Sequence, residues 1–153
     1  MSDRKKQITI LLAEDSPEDQ LLIKQAFQES VWCWRLYIVS DGEKLLDYLY
    51  HRGQYQHQEI APRPDLILLD LYLPKIDGSE ALKAIKADSH LQRLPIVILT
   101  ASKAEADIHR SYQLGASSYL TKPLTFALLV EAVNILGEYW FDVVELAPAS
   151  TYE

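Results

Sequence analysis

PDLILLDLYLPKIDG, residues 64–78, decides the fold. Its four consecutive aliphatics, Leu66 to Leu69, read as a strand covered on both faces, because a strand with one wet face alternates polar with apolar residues. Asp70 ends that run. A lone aspartate at a deeply placed strand end needs a physical reason, since burying an unpaired carboxylate is costly.

Outward from this stretch the same kind of run recurs at residues 8–13, 36–39, 96–99 and 118–120, each separated from the next by a longer segment of helical period. That is five βα units, and the fold class is α/β with a doubly wound parallel sheet. Helix starts are signposted. Ser16-Pro17-Glu18-Asp19 offers a capping hydroxyl, a proline at the first helical position and acids in the first turn. Asp41 can cap a second helix, Ser79 a third and Thr125 a fifth, while Ser102 with Glu105 reads as a capping box for the fourth. Gly137 is placed to end the last helix. Three segments fit poorly: the connection over residues 51–64, long for a compact α/β domain, the Trp32-Cys33-Trp34 stretch, and the residues after Gly137.

The chain has 153 residues, 48% hydrophobic and 24% charged, which suits one globular domain and excludes disorder, collagen and coiled coil. A chain this long buries roughly two-thirds of its unfolded surface, so it needs neither disulfides nor a structural metal. Cys33 is alone, which permits no intrachain disulfide and fits a reducing compartment. The opening MSDRKKQ lacks the apolar core of a signal peptide, and no run approaches the ~20 apolar residues of a membrane span. A cytoplasmic protein without membrane contact is expected. The net charge of -7 and the small basic cluster Arg4-Lys5-Lys6 argue against nucleic acid as a partner.

In an open parallel sheet, ligands bind beyond the carboxyl ends of the strands. Those ends carry Glu14-Asp15, Asp70, Thr100 and Thr121-Lys122-Pro123. Crowded carboxylates repel unless a cation shares the site, and hard oxygen ligands suit magnesium or calcium. An aspartate close to a metal and a lysine has the ingredients of a carboxylate nucleophile for a phosphoryl group. Singly, each residue has a plainer explanation: Glu14-Asp15 as acids before a helix, Thr100 as a β-branched strand residue, Lys122 as a surface charge. Four such coincidences at four strand ends multiply to a small probability.

At these positions the sequence resembles the response-regulator receiver domain of two-component signalling. The stretches ITILLAEDSPEDQLLI, PDLILLDLYLPKIDGSEAL, LPIVILTAS and ASSYLTKPL carry the resemblance, which spans residues 8–137. It implies a flavodoxin-like (βα)5 fold with strand order 2-1-3-4-5. It also implies Asp70 as phosphoacceptor, Asp15 and Asp70 as ligands of Mg2+ or another divalent cation with the main-chain carbonyl of Tyr72, and Glu14 acting through a metal-bound water. Thr100, Ala101 and Lys122 would bind the phosphoryl group, Thr100 and Tyr119 would form the switch, and Pro123 would follow a cis bond. The acidic pair, the long segment before the third strand, the PKIDG turn and the Tyr-Trp-Phe run after the fifth helix look like the phytochrome-coupled regulators of cyanobacteria. That likeness implies a histidine kinase with a bilin photoreceptor, a phytochrome, as phosphodonor.

No separate output domain is expected, so signalling would run through protein contacts. Two rivals remain. A degenerate receiver would act as a binding module without phosphorylation. A phosphatase of the haloacid dehalogenase type would need an acid two residues after its nucleophile, where this chain has Tyr72. For the apolar tail, residues 138–153, one expectation is a homodimer anchored by Trp140 and Phe141, as exposed aromatic patches mark interfaces. The other is that the tail folds back over the last helix.

Overall fold

The computed structural model describes residues 7–123 and 125–143. Five strands, β1 (Ile8–Ala13), β2 (Trp34–Val39), β3 (Leu66–Leu69), β4 (Ile96–Thr100) and β5 (Ser118–Thr121), alternate with five helices. These are α1 (Pro17–Glu29), α2 (Gly42–Tyr50), α3 (Gly78–Ala87), α4 (Glu105–Gln113) and α5 (Phe126–Gly137). All strand pairs are parallel, in the order β2-β1-β3-β4-β5. The expected fold class and strand order therefore stand.

Period-2 alternation in the buried strands splits the core into two layers. Leu11, Ile67, Leu69 and Ile98 meet α2 and α3 through Leu45, Leu49, Leu82 and Ile85. Ile10, Leu12, Leu68 and Val97 meet α1 and α5 through Ile23, Phe27, Leu129 and Val133. Each fully buried aliphatic contributes about 1.5–3 kcal/mol of transfer free energy, so β1 and β3, buried along their whole length, are the thermodynamic spine. By contrast, α4 buries Ser111 alone among its described side chains. No helix among the described residues is long and apolar enough to cross a membrane.

Register carries chemistry to one edge. Ala13 pairs with Leu69, Leu69 with Ile98, and Thr100 with Thr121. Glu14, Asp70, Thr100 and Lys122 consequently leave the sheet side by side, at the end where β1 and β3 lie adjacent although not consecutive.

Ser16, Asp41 and Thr125 cap α1, α2 and α5 as expected, each accepting from a backbone N–H three residues on. Two expected caps are corrected. Asp77, not Ser79, caps α3, its carboxylate accepting from Glu80 N at 3.0 Å. Gly78 follows because a Cβ there would lie 2.2 Å from the Asp70 carbonyl oxygen, so the turn can close only over glycine. Nor does Ser102 open a capping box. Its hydroxyl donates to the Asp107 carboxylate at 2.6 Å, and α4 starts at Glu105 behind Ala104, which makes no side-chain cap.

The awkward segments explain one another. Strand β2 begins two residues earlier than expected, at Trp34, because the Trp34 indole packs edge-on against Phe27 and Phe141. Gly137 does not end the last helix: a π-helical turn, Glu138–Val143, continues it. The glycine is needed for contact, since a Cβ there would sit 2.0 Å from Trp32 Cδ1. Phe141 then stacks on Trp32, with centroids 4.9 Å apart. Ser30 Oγ donates to Asn134 Oδ1 at 2.8 Å and accepts from Trp34 Nε1 at 3.0 Å, tying the corner to α5. Phe141 is thus buried in its own chain, which corrects its expected role as an exposed dimer anchor; Trp140 is half-buried against the same cluster. Aromatic area gains more from this intramolecular contact than from exposure. The rest of the expected tail, from residue 144 on, lies outside the described residues.

The long connection after α2 is also pinned. It contains a 3-10 turn, Gly53–Tyr55, and is held by the Tyr48 hydroxyl donating to the Pro62 carbonyl at 2.7 Å.

Gly137→Ala should lower unfolding stability by about 1–3 kcal/mol, despite alanine's better helix propensity, through overpacking against Trp32. In a Trp32→Ala background the same change should be neutral or stabilising. Urea unfolding of the four proteins of that double-mutant cycle checks it.

Candidate functional site

Asp70 sits where β3 hands over to the turn before α3, buried by the hydrophobic strands around it. Both of its carboxylate oxygens are occupied. Oδ1 accepts from Thr100 Oγ1 at 2.9 Å and from Tyr72 N at 3.2 Å. Oδ2 accepts from Lys122 Nζ at 3.1 Å. Thr100 is itself buried at the end of β4. Its carbonyl accepts from Lys122 N at 2.7 Å, which fixes the lysine backbone beside β4.

The Lys122 ammonium is shared. It lies 2.7 Å from Glu14 Oε1, 2.8 Å from Asp19 Oδ2 and 3.1 Å from Asp70 Oδ2. Burial alone would pull the lysine's pKa down. The close Asp19 and Glu14 carboxylates and the charge of Asp70 outweigh that and hold it above the ordinary lysine range. Glu14 moves the other way: burial pushes its carboxyl up, and the Lys122 ammonium and Ser16 N–H pull it back without cancelling the effect. The two directions share one cause, a low-dielectric pocket holding more negative groups than positive ones.

Glu14, Asp15 and Asp70 each offer a carboxylate oxygen, and these atoms lie within 4.8 Å of one another. Glu14 Oε1 is buried and has no hydrogen-bond partner in good geometry, despite its short approach to the ammonium. An all-oxygen, all-anionic donor set with such an orphaned atom fits a hard divalent cation. Asp15, exposed, would supply the open side of the cation's site.

The remaining expected residues fall into place unevenly. Ala101 follows Thr100 and is exposed at the rim. The Tyr119 hydroxyl donates to the Ser102 carbonyl at 2.9 Å, bridging β5 to the loop before α4. The bond before Pro123 is not cis: no cis peptide occurs among the described residues. Trans is the lower-energy isomer of an X–Pro bond by about 0.5–1 kcal/mol, and the Lys122 contacts form with it. Two features escaped the sequence reading. Asp19 passed as a helix-dipole acid, because nothing in the local pattern of α1's first turn sets it apart from Glu18. The Tyr72 side chain reaches across to donate to Asp107 on α4.

Residues 10–134 match the family described as the response regulator receiver domain. The chain belongs to that family. Response regulator Rcp1 of Synechocystis sp. is 40% identical over 140 residues, covering 92% of this chain and 93% of Rcp1. The protein described as "Probable methanogenesis regulatory protein FilR2", from Methanothrix harundinacea, is 40% identical over 132 residues, 86% of this chain and 82% of its own. Among solved structures, the phosphorylated cyanobacterial phytochrome response regulator RcpA aligns with a TM-score of 0.85 at 39% identity, covering 94% of this receiver and 100% of that chain. The Mn(2+)-bound form of Rcp1 aligns at 0.81, with 40% identity over 92% of this receiver and 99% of that chain.

Glu14→Gln removes a charge that burial disfavours while leaving Lys122 two other carboxylates. In chelated protein it should raise unfolding stability by about 1 kcal/mol, within the usual size of single-site effects. The same change should weaken divalent-cation binding roughly tenfold. Thermal melts with and without a magnesium titration measure both.

Proposed function

We propose that this receiver takes a phosphoryl group onto Asp70 from a histidine kinase in the cytoplasm, and passes the resulting change to partners through its surface. The observation that carries this reading is the buried Asp70 carboxylate, with Thr100 on one oxygen and Lys122 on the other, beside two further carboxylates that fit a divalent cation.

In the proposed reaction an Asp70 oxygen attacks phosphorus in line with the phosphorus–nitrogen bond of a phosphohistidine, that bond breaks, and imidazole leaves with its electron pair. When bound, the cation supplies positive charge between the carboxylates and the incoming phosphoryl oxygens. Lys122 donates to an oxygen of the transferred group from its place beside Oδ2. The Thr100 hydroxyl, now on Oδ1, turns to the phosphoryl group. Tyr72 N–H holds Oδ1 and orients the carboxylate. Loss of the phosphoryl group to water would follow the same geometry, so the chain acts on itself and turns over no separate substrate.

Output is proposed to run through α4. The Tyr72 hydroxyl and Ser102 Oγ both donate to Asp107, and Tyr119 holds the Ser102 carbonyl, so three segments around the site converge on a helix with little buried surface. Moving Thr100 inward gives Tyr119 room to leave Ser102 and loosen that set. A homodimer through the face of α4, β5 and α5 is part of the proposal, with the exposed Tyr139 and the half-buried Trp140 as its candidate tail contacts in place of the buried Phe141.

The donor is proposed to be a phytochrome, supported by the likeness to RcpA over nearly the whole of both chains. FilR2 matches at the same identity as Rcp1, so phosphotransfer from a purified phytochrome kinase, with a non-phytochrome kinase as control, discriminates the donor.

Radiolabelled acetyl phosphate with magnesium should label the protein, and Asp70→Asn should drop labelling to background. Excess chelator should suppress labelling of the unaltered chain at least tenfold. Acid-labile label persisting on Asp70→Asn, or undiminished labelling after verified metal removal, would overturn the reading.

A further inference from the structure

Asp19 lies outside the set of groups that hold or receive the phosphoryl group, yet it makes one of the shortest contacts in the site. Its Oδ2 accepts from Lys122 Nζ at 2.8 Å, against 3.1 Å for Asp70 Oδ2. An ammonium has three N–H donors. Here three carboxylates, Glu14, Asp19 and Asp70, surround it. A phosphoryl group on Asp70 replaces the single carboxylate charge with up to about two on three new oxygens that compete for the same ammonium, so one of the present partners must give way.

The three partners differ in what release costs. Glu14 is buried, with its second oxygen accepting from Ser16 N, and has no water to turn to. Asp70 is the group being modified. Asp19 is more than a third exposed, sits in the first turn of α1, and returns to solvent when it lets go. It is the exchangeable partner.

We propose that Asp19 is a positioning residue that acts through Lys122, holding the ammonium partly away from Asp70 and so opposing capture of the phosphoryl group. This inference rests on the reading of Asp70 as phosphoacceptor and adds a brake to it. Half-exposed ion pairs of this kind are worth up to about 1 kcal/mol, equivalent to roughly a fivefold change in a binding constant.

The test measures binding of trifluoroberyllate, a phosphoryl mimic, at saturating magnesium by calorimetry. The four proteins are the unaltered chain, Asp19→Asn, Asp19→Ser and Glu18→Gln. Asp19→Asn and Asp19→Ser should bind the mimic about threefold to fivefold more tightly. Glu18→Gln removes the same charge from the same turn, without an ion pair to Lys122 among those observed, and should bind as the unaltered chain does. Thermal melts of all four separate this from a purely structural role in α1, which would move stability and leave mimic affinity unchanged. Unchanged or weaker binding by both Asp19 variants, while the unaltered chain binds the mimic, overturns the brake alone. Equal tightening by Glu18→Gln also overturns it, in favour of general charge. Absence of binding by the unaltered chain overturns the phosphoacceptor reading and the brake with it.

Discussion

One ammonium stands among three carboxylates, and much of the site's arrangement follows from that imbalance. Lys122, one residue past β5, reaches Glu14 just past β1, Asp19 in α1 and Asp70 just past β3, so a single side chain ties together the ends of three strands and the start of a helix. In a pocket of reduced dielectric these attractions are stronger than on an open surface, and so is the cost of the charge left uncompensated. The upward pull on Glu14 expresses that cost. A pocket in this condition is prepared for added positive charge and resists added negative charge. It suits a phosphoryl acceptor that works only with a divalent cation beside it.

The same constraint links chemistry to surface. Thr100 satisfies an Asp70 oxygen from the end of a fully buried strand, so its hydroxyl cannot change partner without altering the space behind it. Around that space lie Tyr119, the Ser102 carbonyl and the carboxylate of Asp107, joined by hydrogen bonds rather than by apolar packing. Hydrogen bonds at exposed positions are each worth little net free energy. An element held mainly by them, as α4 is, belongs to the low-stability end of the fold, where a local event can shift it. The sheet and the helices packed on it form the more rigid frame beside it.

At the opposite end, the aromatic corner serves stability. Trp32, Trp34 and Phe141 close the α1 and α5 layer where the sheet ends, and Gly137 allows the indole to lie against helix backbone. Of the apolar residues after the last helix, Phe141 is part of the chain's own core and Trp140 packs half-buried against it. Among the described residues there, Tyr139 and Ile135 remain exposed.

The sequence by itself determined the α/β class, the five strands, the caps at Ser16, Asp41 and Thr125, and the gathering of Glu14, Asp15, Asp70, Thr100 and Lys122 at one edge. These are properties of period and position: aliphatic runs state burial directly, and a parallel sheet brings the residues after its strands together whatever its details. Tertiary structure alone decided the rest. Asp77 displaced Ser79 as a cap because Gly78 must close over the Asp70 carbonyl, a contact between segments. Ser102 gave its hydroxyl to the Asp107 carboxylate rather than to a cap, while Gly137 became a contact glycine rather than a helix stop and Phe141 went inside, both through Trp32, more than a hundred residues away in the chain. Asp19 shows the boundary most clearly. Its place in the first turn of α1 was legible as that of a dipole acid, but only the reach of Lys122, 103 residues away, made it part of the site. Local pattern encodes burial and helix register, whereas the pairing of long, flexible charged side chains depends on distances that only the assembled sheet fixes.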